Sequence, residues 1–204
     1  MKKINITAEG YIHCKSRFYS VNDNVSADTK YDFTVGLNKS VCEIDSGNWA
    51  VSYLMSMYIH SAKDFVLFRQ PQIKVDSKST TIEELSQKSC YMDTLYPLFS
   101  KKTPVHKLVA KGIKINKLDT TAENIRELFC IDKERFTRPL SGVGNEIFKA
   151  MAAIGYVNKK EVFCFPWMSH KRFENYHANL TEVLRILEDL NSVIVLPVGR
   201  EDIN

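Results

Sequence analysis

The chain has 204 residues, a length that accommodates one well-buried domain or one domain with an inserted lobe. Hydrophobic residues make up 44% of it and charged residues 25%, a balance typical of globular proteins and not of disordered or collagen-like chains. No apolar run approaches the ~20 residues needed to cross a bilayer, and no apolar stretch follows the basic opening residues. We therefore expect a cytoplasmic protein without a signal peptide and without direct membrane insertion.

The cysteines and the charges exclude several kinds of site. The five cysteines are odd in number and form no Cys-x-x-Cys pair, which argues against a disulfide framework and against a zinc site. Cys164 stands in an apolar run and is interpreted as a small buried hydrophobe. The net charge of +4 is mild, and the basic residues alternate with acids and are not concentrated on one predicted element. We therefore expect no metal and no nucleic-acid partner.

Strand patterns dominate the first part of the chain. Tyr31, Phe33, Val35 and Leu37 alternate onto one face, which predicts a half-buried antiparallel strand. Together with further predicted strands, it makes up an antiparallel β portion near the N-terminus. These further strands fall around Ile4–Ile6, Tyr11–Ile12 and Gln72–Val75. The continuous apolar run Phe65–Phe68 has the pattern of a strand that is covered on both faces.

Residues 41–58 are predicted to form a strand, a tight turn and a helix. Val41–Ile44 is short and apolar, and Asp45-Ser46-Gly47 follows as a turn and helix-cap signal. The helix then presents one apolar stripe of residues at helical spacing, Ala50, Tyr53, Leu54, Met57 and Tyr58.

The middle of the chain, about 80–150, is predicted to be a small helical lobe. Thr80-x-x-Glu83 and Thr120-x-x-Glu123 have the spacing of capping boxes. Thr103-Pro104 is expected to open another helix, which ends at Gly112.

The sequence of the last third of the chain predicts a β-α-β unit. A helix over 145–155 leads to a strand over 161–165, and a long helix then runs to about Asn191. The apolar strand Val193–Leu196 follows, and two buried strands joined by a helix are typical of a parallel sheet. The overall expectation is an α/β domain spanning 1–204.

The turn near residue 45 raises the question of a phosphate-binding loop, Gly-x-x-x-x-Gly-Lys-[Ser/Thr]. In the aligned stretch Asp45–Ser52, Ser52 keeps the hydroxyl position, while Asp45 and Ala50 replace the glycines and Val51 replaces the lysine. The candidate residues of this degenerate loop are Ser46, Gly47, Asn48 and Ser52. Free N–H groups at this helix start would attract an anion, but capping by Asp45 or Ser46 is the favoured interpretation, because a capping carboxylate competes for the same N–H groups.

Three segments after this loop follow one another in the same order as the motifs of one protein family. Over nearly the whole chain, the sequence resembles the nucleotide-binding domain of ATP-binding-cassette (ABC) proteins. Residues 89–109 are similar to the segment around the family's glutamine loop, with Asp93 or Met92 in place of the glutamine. Leu140-Ser141-Gly142 is similar to the start of the family's Leu-Ser-Gly-Gly-Gln signature. The strand Val162–Phe165 follows at about the family's interval. The resemblance implies a P-loop-NTPase-like fold.

The departures from the family pattern remove catalytic groups. The acidic pair expected after strand 162–165 is replaced by Pro166-Trp167, and Val198-Gly199 stands where the switch histidine is expected. The loop has lost the lysine that offsets triphosphate charge. We therefore expect no ATPase activity, and any binding of ATP with Mg²⁺ would be weak.

In the family, two such domains pair head to tail, and the signature of one closes over nucleotide bound to the other. The resemblance therefore implies a non-catalytic partner or regulatory subunit, whose Ser141 and Gly142 complete a partner's nucleotide site. The partner would be a catalytic ABC ATPase or a membrane permease, in a homodimer or a heterodimer, and any membrane association would come through it. The alternatives are an adaptor or regulator unrelated to nucleotide, and an enzyme of other chemistry on an α/β scaffold.

Overall fold

The structure is a computed structural model, and it describes residues 3–9, 12–14, 30–36, 41–44, 65–67, 72–93, 98–100, 102–166 and 170–199. Strands and helices are mixed along these residues, as the sequence predicts for an α/β protein. The strands are β1 Lys3–Glu9, β2 Ile12–Cys14, β3 Lys30–Gly36, β4 Val41–Ile44, β5 Phe65–Leu67, β6 Gln72–Val75, β7 Lys78–Thr80, β8 Ser89–Tyr91, β9 Val162–Cys164 and β10 Val193–Gly199. The α-helices are α1 Ile82–Gln87, α2 Val105–Asn116, α3 Ala122–Leu128, α4 Lys133–Phe136, α5 Ile147–Val157 and α6 His170–Asp189.

An antiparallel sheet of order β3-β1-β6-β7 forms the first layer. The alternating strand predicted at 31–37 is β3, which pairs antiparallel with β1 from Lys3↔Gly36 to Glu9↔Lys30. On its other side β1 pairs with β6, and β2 pairs with β5 in a separate two-stranded sheet. The predicted antiparallel β portion is therefore confirmed.

A second sheet has the order β4-β10-β9-β8, and all of its pairings are parallel. The predicted β-α-β unit is confirmed, because β9 and β10 are joined by α6 and pair from Val193↔Val162 to Val195↔Cys164. The sequence gives no signal for β8, which has only three residues, too few for an alternation to be recognised. This strand lies within the range predicted as the helical lobe, but it belongs to the parallel sheet.

The core lies around this parallel sheet. Residues 162–164 of β9 and Phe165 directly after it are fully buried, and 193–196 of β10 are at most 1% exposed. Helix α5 packs directly against β8 and β9, because a Cβ atom at Gly155 would lie 2.7 Å from a ring carbon of Phe163 and 3.0 Å from Sγ of Cys90. Cys164 is a buried free thiol, as expected from its apolar run.

Both N-caps lie one residue later than the capping boxes predicted from the sequence. The N-cap of α1 is Thr81, whose side chain accepts from the Glu84 N–H while Glu84 reaches back to the Thr81 N–H. The N-cap of α3 is Thr121, which accepts from the N–H of Asn124 at 3.1 Å. In both places the prediction was wrong because two threonines stand side by side, and the extended residue directly before the first helical turn is the second one.

Helix α2 is longer than predicted. It continues through Gly112 to Asn116, and Lys117 ends it in a left-handed conformation. A Cβ atom at Gly112 would lie only 2.5 Å from Cγ2 of Val157 and 2.9 Å from Nδ2 of Asn158. The glycine therefore allows α2 to approach the end of α5 closely, and it is not the helix terminator that the sequence predicted.

A buried cation joins α5, α6 and the lobe. Lys149 of α5 is only 9% exposed, and its ammonium group donates to the Cys130 carbonyl at 3.2 Å. The same group forms an ion pair with Glu182 of α6. The hydrogen bond from Lys149 to Glu182 holds the pKa of Glu182 below its usual value.

Within the described ranges, no helix has both the length and the apolar character needed to span a bilayer.

Candidate functional site

The candidate site lies at the carboxyl edge of the parallel sheet. The four strands point the same way and end at Ile44, Tyr91, Cys164 and Gly199. Strand β10 is the last strand of this sheet in sequence, and it lies between β9 and β4, which is the first strand of the same sheet. Open parallel sheets bind ligands outside their carboxyl ends, at the place where the strand order reverses.

This edge is stepped. Cys164, at the end of β9, pairs with Val195 of β10, whereas Ile44, at the end of β4, pairs with Gly199. The end of β4 therefore lies four residues, or about 13 Å, further along the sheet than the end of β9. Strand β8 ends level with β9, because Tyr91 pairs with Cys164. We refer to the step between the shorter ends of β8 and β9 and the last residues of β10 and β4 as the recess.

The residues that directly follow β8 and β9 form backbone hydrogen bonds within the sheet and have buried apolar side chains. The Met92 N–H donates to the Cys164 carbonyl at 2.8 Å, and the Phe165 N–H donates to the Val195 carbonyl at 2.8 Å. Met92 is 1% exposed and Phe165 is fully buried, with its ring 5.5 Å from that of Phe148 in α5. Half-buried Asp93 follows directly, and the sequence resemblance assigns either Asp93 or Met92 to the position of the family's glutamine.

The residues after β9 do not fit a nucleotide-bound Mg²⁺. The family pattern requires acidic residues here, but Phe165 and half-buried Pro166 follow the strand. Neither side chain has an oxygen that coordinates a hard cation. In the part of the chain that the structure describes, no group of three or more His, Cys, Asp or Glu side chains is arranged to hold a metal.

The predicted phosphate-loop residues Ser46, Gly47, Asn48 and Ser52 lie outside the described residues. The structure does describe β4, which precedes them and pairs in parallel with β10. Strand β4 thus ends at the raised side of the recess, and the binding role of the residues after it stays a prediction.

The signature-like residues are found in a short 3-10 helix, Leu140–Gly142, just before α5. Leu140 and Val143 are buried and anchor this turn, while Ser141 and Gly142 are exposed. Because α5 runs back to the start of β9, its first turn lies near the carboxyl end of that strand, as the Phe148–Phe165 contact shows. The exposed turn and the recess are therefore on the same side of the molecule.

Two arginines flank the turn, and the sequence analysis did not single them out. The aliphatic part of Arg138 lies along Gly142, where a Cβ atom on the glycine would be 3.4 Å from the Arg138 Cβ. The guanidinium of Arg138 pairs with Glu134, and that of Arg135 with Glu146 at 3.5 Å. No sequence motif indicates this proximity, because it arises from the fold of the turn between α4 and α5.

Asp132 is the N-cap of helix α4, which begins next to these arginines. Its carboxylate accepts from the backbone N–H groups of Arg135 at 3.0 Å and Glu134 at 2.9 Å. The first of these bonds contributes most to keeping the pKa of Asp132 below its usual value, and the second adds to it. Asp132 thus stays ionised as a helix cap beside the signature-like turn.

The position assigned to a switch histidine must be corrected. Val198 and Gly199 do not follow the last strand but belong to it, pairing with Glu43 and Ile44. The strand continues past Pro197 because its ladder with β9 has already ended at Val195, so the missing N–H of the proline is tolerated. The residues after the strand begin at Arg200 and lie outside the described residues.

A separate cavity of about 630 Å³ lies at the opposite, amino edge of the sheet. Glu161 and Ser192, which directly precede β9 and β10, line it together with Tyr156 and Lys160. The Lys160 ammonium donates to the Gln87 carbonyl at 2.6 Å, and burial lowers the pKa of Lys160. This cavity is remote from the edge at which parallel sheets bind ligands, so the recess remains the candidate site.

The chain combines an antiparallel N-terminal layer, a parallel sheet and a helical lobe that precedes the β-α-β unit. Solved structures of ABC-transporter ATP-binding proteins have this fold. A putative ABC transporter ATP-binding protein from Pyrococcus furiosus matches with a TM-score of 0.60 at 11% identity, covering 98% of this chain and 93% of the other. The fold that the sequence resemblance implied is therefore confirmed.

Two further structures agree. The cbiO1 protein from Clostridium perfringens, part of the transporter complex cbiONQ, matches with a TM-score of 0.54 at 15% identity, covering 97% of this chain and 78% of that one. The ATP-binding cassette MJ0796, a dimer bound to ADP and Pi, matches with a TM-score of 0.56 at 10% identity, covering 98% and 89%. No protein-family model matches the sequence, and no curated protein is significantly similar to it. At these identities the likeness concerns the fold.

Proposed function

We propose that this chain is a non-catalytic subunit with an ABC-type fold, which acts through protein contacts and completes the nucleotide site of a partner. The observation that carries the proposal is the combination of this fold with Phe165-Pro166 at the carboxyl end of β9. An aromatic ring and a proline provide neither a magnesium ligand nor a base that orients water. Trp167 follows in sequence and also lacks a carboxylate.

The contribution to a partner would come from Ser141. Among the described residues, no hydrogen bond is made by its hydroxyl group, and the residue is exposed. The N–H of Gly142 is already donated to the Pro139 carbonyl at 2.8 Å, so the hydroxyl is the group left to bind a phosphate oxygen. The absence of a side chain at Gly142 allows a partner surface to approach closely.

The charge beside the turn supports an anionic ligand. Arg138 is 46% exposed, and its partner Glu134 is 76% exposed. Such a surface ion pair contributes only about 0–1 kcal/mol, so the guanidinium is readily transferred to a phosphate group of a partner's nucleotide. The proposed partner is a catalytic ABC ATPase or a membrane permease.

Two assays test the proposal. Phosphate release from ATP and Mg²⁺ by the isolated chain should not exceed the buffer blank, and steady turnover would contradict the non-catalytic role. An intact cassette ATPase from the same genome should turn over ATP faster when the chain is added. Ser141→Arg should remove this stimulation, whereas Ser79→Arg, the same change at an exposed position of β7, should retain it.

The adaptor alternative makes a different prediction for the same mixture. An adaptor unrelated to nucleotide would bind its partner equally well with and without ATP, and Ser141→Arg would leave both binding and ATP turnover unchanged. Stimulation that survives Ser141→Arg would refute the role of the signature-like turn, even if the two proteins still associate.

A further inference from the structure

Helix α2 carries an exposed row of lysines. Lys107, Lys111 and Lys114 are spaced by four and three residues, so their side chains lie on one face of the helix, and Lys117 follows at its end. All four are exposed. This corrects the sequence-based view that no single element concentrates the basic charge. That view assumed a helix ending at Gly112, which left Lys114 and Lys117 outside it.

The charge of this row is not neutralised locally. Helix α2 has the sequence VHKLVAKGIKIN and contains no acidic residue. Within the described ranges, none of the four lysines forms an ion pair. The nearby acids Glu123 and Glu127 of α3 pair instead with Arg126, at 2.9 and 3.3 Å. Like charges at this spacing destabilise a helix, so the row has a structural cost that a binding role would explain.

An exposed apolar side chain accompanies the lysines. Ile115 is 62% exposed and lies four residues after Lys111, at the side of the row. The opposite face of α2 is fully used by the core, since Val105 and Val109 are both completely buried. Ile115 therefore does not serve the core, and it is presented to solvent together with the ammonium groups.

We propose that the Lys107–Lys117 face of α2 binds the surface of a membrane that contains anionic lipids, with Ile115 inserted among the headgroups. The row spans about 15 Å along the helix and faces outward as a set of charges. Lysine is a compact, hydrated point charge without the planar fork that arginine uses for specific phosphate or carboxylate pairs, so a row of lysines fits a diffuse anionic surface. Protein interfaces, in contrast, are depleted in lysine.

Vesicle co-sedimentation of the full chain tests this proposal. The chain should bind phosphatidylcholine vesicles that contain phosphatidylserine and not vesicles of phosphatidylcholine alone, and added salt should weaken the binding. Each lysine near such a surface contributes about fivefold, so Lys111→Gln/Lys114→Gln should weaken partitioning about 30-fold. Ile115→Ser should weaken it further without altering the dependence on salt.

A matched control separates this face from net charge. Lys74→Gln/Lys78→Gln removes the same two charges from exposed positions of β6 and β7 and should bind as the unaltered chain does. The α2 variant should keep its thermal unfolding midpoint, because it relieves repulsion within the helix. Equal loss in both double variants would refute the proposal. So would failure to bind the phosphatidylserine vesicles while poly-glutamate or single-stranded DNA is retained.

Discussion

Lys149 and Glu182 form an ion pair that ties α5 to α6, and replacing Glu182 by Gln tests how much it stabilises the fold. The side chain of Lys149 is 11% exposed and that of Glu182 is 39% exposed. Removing one partner of a buried pair costs about 3–5 kcal/mol, because the other charge stays buried without compensation. Water reaches Glu182 and the Cys130 carbonyl still accepts from Lys149, so we expect about 2 kcal/mol for Glu182→Gln.

The assay is thermal and denaturant unfolding of the single and double variants. A loss of about 2 kcal/mol lowers the unfolding midpoint by about 4–8 °C in a chain of this size. Lys149→Met replaces the ammonium group by an apolar side chain and should cost less than Glu182→Gln. Lys149→Met/Glu182→Gln should therefore be more stable than Glu182→Gln alone. The reasoning is refuted if Glu182→Gln changes the free energy of unfolding by less than about 0.5 kcal/mol.

Three further predictions concern acid sensitivity and two local corrections. The hydrogen bond from Lys149 holds the pKa of Glu182 below its ordinary value of 4.5. The ion pair therefore stabilises the fold fully above pH 4.5, and this stabilisation is lost as the pH falls through the pKa of Glu182 in the folded state. The difference in unfolding free energy between the unaltered chain and Glu182→Gln, measured by denaturant titration, should shrink over that acidic range. Gly112→Ala should lower the unfolding midpoint by overpacking against Val157, at a cost of about 1–3 kcal/mol, and an unchanged midpoint would contradict this. Thr81→Ala should cost about 1 kcal/mol in denaturant unfolding, and an unchanged free energy of unfolding would contradict its role as the cap.

The sequence predicted the elements whose signal is local. The alternation of Tyr31, Phe33 and Val35 is sufficient to indicate β3, and the apolar runs indicate β9 and β10. The long helix between those runs was predicted for the same reason. For the site, the sequence analysis singled out Ser141 and Gly142, and the structure shows that they lie in the 3-10 helix before α5. The assignment of Pro166-Trp167 to the place of an acidic pair stays a prediction.

Other predictions failed where the local sequence was compatible with more than one structure. Thr80 and Thr81 are both suitable caps, and only the entry of the chain from β7 selects the second. Gly112 is a plausible helix end by composition, but its contact with Val157 explains why α2 requires a glycine within its length. In each case a distant part of the chain decided between local alternatives.

What the sequence determined by itself is the set of strands and helices with clear periodicity, because periodicity is a property of the residue types. Only the tertiary structure decided the order β4-β10-β9-β8, the stepped carboxyl edge, the position of Arg138 beside Gly142 and the lysine face of α2. These features depend on which distant segments pair and pack together. That choice is made by burial and hydrogen bonding across the whole domain, and no short stretch of sequence contains it.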